Sequence, residues 1–337
     1  MNEVTPLTEA DVEAAGVLIA GRHARERERF PLLPPAYEDP ARAVELVREV
    51  LSFCDGVTVR DHDGALAGFL TAFESTPDPS SPASRYLPER SSVHLVHGHA
   101  VATDADPLPV YGVLFAELAG RALGRGITDH VVHLPVGDRP AQAAWVALGF
   151  GQVSAFAVRD LAPITQRLLG AVEVRAATPD ELDLVDRLVD EESVFHARSP
   201  MFRPYRRGET AGAVRAQLAS ELASDDHALL IARRDGRDIG VLSVGPGLGS
   251  PLYVPDDAVY IAATAVLDGE RGSGAGAALV DAALDWARDH RHAAACLHFS
   301  TANITSTSFW TGVGFTPVMS HLRRRLDDRI LDSRPAP

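Results

Sequence analysis

The chain has 337 residues, 46% of them hydrophobic, which suits two globular domains with their own cores. Its net charge of −14 argues against a nucleic-acid backbone as main partner, because that affinity comes from basic residues neutralising phosphates. Two cysteines, Cys54 and Cys296, give neither a disulfide framework nor a metal-type spacing, and no apolar run reaches the roughly 20 residues that span a bilayer.

The opening residues lack the basic and apolar regions of a signal peptide, so a cytoplasmic protein is expected. All 32 basic residues are arginine, which points to a GC-rich coding genome rather than to a mechanism. The acidic balance suits a cationic small-molecule partner or simply a soluble surface.

In chain order, the first helix signal is Thr8 with Asp11, an N-cap hydroxyl before an acidic third residue. A strand follows, then a tight turn at Asp63-Gly64 and a second strand. The Pro/Ser-rich loop "ESTPDPSSPASRYLPERSS" leads to "HLVHGHAV", where strand alternation puts His97 and His99 on one face without His94. No carboxylates join these histidines, so no metal is expected. A helix, a strand, the short helix "AAWVALGF" and a final strand complete the half. After "RDLAPITQRLLGAVEV" the order repeats: a helix signal at Thr178, Pro179 and Glu181, then a hairpin around Asp235-Gly236. The loop "GPGLGSPLYVPDD" and a strand–helix–strand–helix–strand series close the second half.

The halves are copies. Trp145 and Trp310 lie 165 apart, as do Phe150 and Phe315, His133 and His298, and "AVATDAD" and "AVLDGER". Each copy reads α–(α)–β–β–β–α–β–α–β, an α/β domain. The expected division is 1–165, 171–326 and a flexible tail at 327–337.

The second copy carries the most informative stretch. Strand "VYIAATAV" runs into "LDGERGSGAG" and then into helix "AALVDAALDWARDH", with Leu279, Ala283 and Trp286 on one face. Small residues at the helix start leave free N–H groups and about half a positive charge, an anion site. A P-loop is excluded, since there is no lysine. The letters of a dinucleotide fingerprint at Gly272, Gly274 and Ala277 lie too near the C-terminus for the remaining strands. A plain glycine-rich turn remains a competing reading.

The surroundings favour a third reading. R-x-x-G-x-G at Arg271, Gly274 and Gly276 follows a strand and opens a helix, and about thirty residues on come Asn303, Ser306, Phe309, Trp310, Gly314 and Phe315. This combination resembles the GNAT superfamily of acyl-CoA-dependent N-acyltransferases, over the whole second half and more weakly over the first. The resemblance implies two tandem GNAT-like domains, each a mixed, mostly antiparallel central sheet flanked by helices, as in some bacterial acyltransferases. It implies that the turn Arg271, Gly272, Ser273, Gly274, Ala275 and Gly276 cradles the pyrophosphate of acetyl-CoA. Gly274 and Gly276 would be small because a Cβ would meet phosphate oxygens. Val266, with Leu267 after it, would line the pantetheine arm, and the Val266 N–H would face the thioester oxygen. Asn303, Ser306, Phe309 and Trp310 would flank the other side.

Projected back by 165, Arg271 falls on Asp106, Gly272 on Pro107, Gly274 on Pro109, Gly276 on Tyr111 and Asn303 on Asp138. Prolines remove amide donors, carboxylates replace a cation and an amide, and Tyr111 fills phosphate space. The first copy is therefore expected not to bind acyl-CoA, and to serve as structure or as part of the acceptor pocket.

Trp310 stands where many members of this family have the tyrosine that protonates the leaving thiolate; indole is no general acid, so it is either a departure in mechanism or a packing anchor like Trp145. His298 is a candidate base titrating in the neutral range, or a structural residue like His133. Tyr260 and Thr264 would line the acetyl end or the core. Glu191, Glu192, His196 and Tyr205 fall in the segment that the resemblance places over the acceptor site; the adjacent carboxylates of Glu191 and Glu192 would hold an ammonium group, or belong to a solvated helix end. The expected catalytic set is His298, Tyr260 and Glu192. The activity implied is acetyl transfer to a primary amine of a small molecule by direct attack, in a monomer or homodimer, without metal, membrane or nucleic acid. The alternative is a non-catalytic acyl-CoA-binding or partner-binding module.

Overall fold

The computed structural model describes residues 3–164, 172–205 and 207–332. The first copy runs β1 (Thr5–Pro6), α1 (Val12–Arg29), α2 (Pro40–Leu51), β2 (Asp55–Arg60), β3 (Leu66–Ser75), β4 (Ser91–His94), β5 (His99–Val101), α3 (Pro107–Gly124), β6 (Asp129–Pro135), α4 (Arg139–Ala147) and β7 (Gly151–Asp160). The second runs β8 (Glu173–Ala176), α5 (Leu182–His196), α6 (Arg207–Leu222), β9 (Ala228–Arg234), β10 (Arg237–Pro246), β11 (Ala258–Val266), α7 (Ala275–Asp289), β12 (Ala294–Ser300), α8 (Ile304–Gly312) and β13 (Thr316–Arg325).

The local signals act as their chemistry dictates. The Asp11 and Glu181 carboxylates turn back to accept from the N–H groups of Thr8 (2.8 Å) and Thr178 (3.0 Å). Asp235 and Gly236 both take positive φ, +51° and +73°, so the two-residue turn joins β9 to β10 with the twist a hairpin needs.

The chain forms two compact units that are not consecutive in sequence. Unit one comprises residues 1–76, 88–155 and 318–337, and unit two comprises 77–87 and 156–317. The expected boundaries follow the copies, whereas the units take three segments out of that order. The linker near residue 170 lies outside the described residues. Of the expected tail, Asp328–Ile330 form a 3-10 turn, and Thr128 donates to the Asp328 carboxylate at 2.8 Å.

In unit one, β1, β2, β3 and β4 are antiparallel neighbours, β4 pairs with β6 in parallel, and β13 closes the sheet antiparallel to β6. Its core gathers Leu70, Tyr111, Leu114, Phe115, Val132, Leu134, Trp145 and Leu322, the last from β13. In unit two, β8, β9, β10 and β11 are antiparallel, and β11 pairs with β12 in parallel. β7, whose residues from Phe156 onward belong to this unit, follows β12. The same mixed, mostly antiparallel pattern thus recurs, and in each unit the strand beyond the parallel pair comes from the other copy. On α7 the buried stripe is Leu279, Val280, Ala283, Leu284 and Ala287. Trp286 sits at its edge, stacked on His290 at 4.2 Å, rather than in the expected face.

Leu322 is 3% exposed on a strand that arrives nearly 200 residues after β6. Leu322→Ala is expected to lower unfolding stability by about 2–5 kcal/mol. Hydrogen exchange checks the assignment to unit one: β6 amides should lose protection before those of β9 and β10.

Candidate active site

At the end of β11, Leu267 donates its N–H to the Ile239 carbonyl at 2.9 Å. Successive strand residues present their backbone groups to opposite edges, so the N–H and C=O of Val266 point away from β10. On that other edge the parallel pairing with β12 ends at Ile261–Leu297. Past this pair, from Ala262 to Val266 on one side and His298 to Ser300 on the other, the strands part.

The turn after β11 supplies the donors. Gly272 and Gly274 take φ of +79° and +91°, left-handed conformations that favour glycine. Gly274 is the N-cap of α7 and no side chain caps it, so the first helical amides, at Ala275, Gly276 and Ala277, face out of the helix end. Ser273 adds a buried hydroxyl with no hydrogen-bond partner among the described residues. Arg271 is exposed; its guanidinium lies 3.7 Å from the Phe195 ring centre and 3.4 Å from Asp268, with Nε 3.4 Å from the Val266 carbonyl.

Gly276 has a different reason to be glycine from the one expected. A Cβ there would come within 3.1 Å of the Phe309 ring on α8. Asn303 caps α8, its Oδ1 accepting from the Ser306 N–H (3.1 Å) and the Thr305 hydroxyl (2.9 Å), which leaves only its NH2 for a ligand. Asp138 caps α4 in the same way, accepting from Ala141 N–H at 3.1 Å, so the aligned pair is explained by capping. Trp310 is 7% exposed and meets Phe309 and Phe315 edge-on at 4.9 and 5.5 Å, as a packing anchor does.

A cluster of titratable groups lies toward the start of the same strand. The Tyr260 hydroxyl is 3.1 Å from His298 Nδ1, and the His298 ring packs on Phe156 at 4.7 Å. Burial pushes His298 down to about 4, so it is neutral at pH 7 and a weak base, not the neutral-range group expected. Burial raises Tyr260, which keeps its proton. Glu192, on α5, is not at a solvated helix end: its side chain is 16% exposed, and Oε2 is sealed without a hydrogen-bond partner among the described residues. Burial raises its carboxyl to about 7, against the opposing pull of Arg85 and Arg203. Tyr205, also in this segment, instead donates to Asp190 at 2.9 Å.

Sequence reasoning missed Arg85, Tyr86 and Arg203. Arg85 donates to the Tyr86 hydroxyl at 2.6 Å, and the two guanidinium carbons lie 5.2 and 5.3 Å from the Tyr86 ring centre. Arg85 and Tyr86 belong to the first copy's Pro/Ser-rich loop, whose residues 77–87 fold into unit two. The basic–aromatic pair inside that loop is the only signal the sequence offers.

In unit one the equivalent place is filled. Pairing of β4 with β6 stops at His94–Val132, and beyond it His99, the counterpart of Thr264, donates or accepts at both ring nitrogens. Nδ1 meets the Tyr111 hydroxyl at 2.9 Å and Nε2 meets the His133 carbonyl at 2.9 Å. Arg22 donates to the His99 carbonyl at 2.8 Å. Tyr111 is fully buried, 5.1 Å from Trp145. The exchange is coordinated: unit two pairs Gly276 with Phe309, where unit one pairs Tyr111 with Ala144. The α3 start is closed too, since the Asp106 carboxylate accepts from Leu108 N–H at 3.1 Å. In unit two Thr264 stands in place of His99, and its hydroxyl has no partner among the described residues.

Glu192 gives a sign-specific prediction. Its folded carboxyl holds a proton up to about pH 7, while an unfolded one releases it near 4.5, so the protein loses stability as pH rises through that window. Glu192→Gln lacks this loss. Denaturation at pH 4.5 and pH 8 should show the variant gaining on the parent by up to about 3 kcal/mol at the higher pH.

Residues 191–315 match the family model described as the acetyltransferase (GNAT) family. No curated protein matches the chain. A solved GCN5-related N-acetyltransferase from Sphaerobacter thermophilus is similar over 96% of this chain and 95% of its own, at 14% identity and a TM-score of 0.57. A GCN5-related glucosamine N-acetyltransferase region in a fungal multi-domain GH3 β-N-acetylglucosaminidase is similar over 96% of this chain and 38% of that one, at 15% identity and a TM-score of 0.51. At these identities the likeness is one of fold. Residues 191–315 thus match the GNAT acetyltransferase family, in a chain that shares the fold of solved GNAT proteins over nearly its whole length.

Proposed function

We propose that unit two is an acyl-CoA-dependent N-acyltransferase that moves an acetyl group from acetyl-CoA to the primary amine of a small molecule. The observation that carries this reading is the parting of β11 and β12 beside an uncapped helix start, in the copy that lacks the Tyr111 plug. The amides from Gly272 to Ala277 and the Ser273 hydroxyl suit a pyrophosphate. The backbone of Val266 suits an extended pantetheine arm, and its N–H an oxyanion at the thioester carbon. Arg271 would turn from Asp268 and Phe195 to the phosphates.

The chemistry follows from the groups present. Glu192, with a carboxyl near 7, takes a proton from the incoming ammonium. The freed amine attacks the thioester carbon, the C–N bond forms, and the C–S bond breaks as the tetrahedral adduct collapses. The departing thiolate needs a proton that Trp310 cannot give; Tyr260, held against His298, keeps an O–H for it. Unit one takes no part in acyl-CoA binding.

A thermal melt with acetyl-CoA tests the binding half. The parent should be stabilised, Gly274→Glu should not, and Pro109→Glu, at the corresponding place in the first copy, should respond like the parent. Release of CoA thiol on a panel of amines tests the catalytic half; tight binding with no turnover on any amine would leave only an acyl-CoA-binding module. For any amine accepted, kcat/KM should climb as pH rises through about 7, where Glu192 becomes a base. Glu192→Gln should lower kcat by about 10²–10⁴-fold and flatten that climb.

A further inference from the structure

Near Glu192, arginines and an aromatic ring from separate segments of unit two come together. In a protein of net charge −14, two guanidinium groups, Arg85 and Arg203, converge on one aromatic ring, Tyr86, which stays 43% exposed. Arg85 Nε is buried and has no hydrogen-bond partner among the described residues, so one of its donors is desolvated and unspent. Asp190 and Glu192 lie within electrostatic reach of Arg85, and Arg207 shares Asp190 at 3.0 Å and holds Asp186 at 2.9 Å. Glu192 lies within electrostatic reach of both guanidinium groups and, in the reading above, handles the amine.

We propose that the acceptor amine carries an oxyanion on a short linker, a carboxylate or phosphate, which Arg85 and Arg203 hold beside Tyr86 while the nitrogen faces Glu192. This inference rests on the acyltransferase reading above. A planar guanidinium presents paired donors that match the oxygens of either anion, and an arginine with a buried free donor gains most from such a partner. The arrangement reverses the expectation of a cationic acceptor drawn from net charge. It also gives the first copy a function, since the loop holding Arg85 and Tyr86 is its contribution to acceptor selection. Glu192 and Tyr86 also lie within electrostatic reach of Tyr260, near the start of β11, which is the acceptor end of the strand in the reading above.

The test is CoA thiol release from acetyl-CoA with matched amines: leucine against leucinamide, phenylalanine against phenylalaninamide, phosphoethanolamine against ethanolamine, and spermidine as a polycation. At least one anionic member should exceed its neutral partner tenfold or more in kcat/KM, and the pair that does so tells carboxylate from phosphate. Arg85→Met and Arg203→Met should each raise KM for that amine about 10- to 100-fold with little change in kcat, and lysine at either place should restore part of it. Arg42→Met, in unit one, controls for lost charge, and melts of the free proteins control for folding. Preference for spermidine or the neutral partners overturns the inference and leaves the acyltransferase reading standing. Loss of acetyl-CoA stabilisation in Arg85→Met or Arg203→Met also overturns it, by placing these residues at the coenzyme. Acetyl-CoA binding without turnover of any amine overturns the acyltransferase reading itself, and this inference with it.

Discussion

Two parallel strands that stop pairing before they end leave facing rows of backbone donors and acceptors, and a folded protein must satisfy them. Both units contain such a parting, and each answers it differently. In unit one the chain answers internally, with the His99 ring on the His133 carbonyl, the Tyr111 hydroxyl on His99 and the Arg22 guanidinium on the His99 carbonyl. In unit two the residues at the corresponding places are Thr264 and Gly276, which cannot reach across. On the reading proposed above, acyl-CoA meets that need, and everything proposed about the second copy depends on that difference.

The plug and the opening are alternative packings of one core. A large side chain at 111 goes with a small one at 144, and a glycine at 276 goes with the Phe309 ring. Because interiors are close-packed, neither pair can change by one member without overlap or a void. The same economy governs the helix starts. Asp106 fills its own helix end, whereas α7 begins at a left-handed glycine with bare amides. One copy thus keeps its stability by closing both sites, and the other keeps both open and side by side.

Much of this was legible in the sequence because the repeat runs without a gap through the informative region. A constant offset sets Tyr111 on Gly276 and Asp106 on Arg271 from the residues alone, and the physical consequence of each follows from size and charge. The capping boxes and the Asp235-Gly236 turn were legible because they act over three or four residues. Partners far apart in sequence were not. Strand alternation says which face is buried but not which neighbour lies beside it, so β13 closing unit one could not be read. Glu192 meets Arg85 and Tyr86 from a Pro-rich loop of the other copy, and burial, which sequence does not show, is what moves its carboxyl and the His298 ring. Asn303 and Asp138 share a capping role that acts over three residues, a simpler chemistry than ligand binding.

On this reading the opening between β11 and β12 takes acetyl-CoA, and its counterpart in unit one cannot. Calorimetric titration of acetyl-CoA into the parent and into a variant carrying the plug of unit one, Thr264→His with Gly276→Tyr and Phe309→Ala, tests this most directly. One equivalent should bind per parent chain, and none should bind to a variant that still melts cooperatively. Two equivalents bound by the parent, or parent-like affinity in the plugged variant, would contradict it.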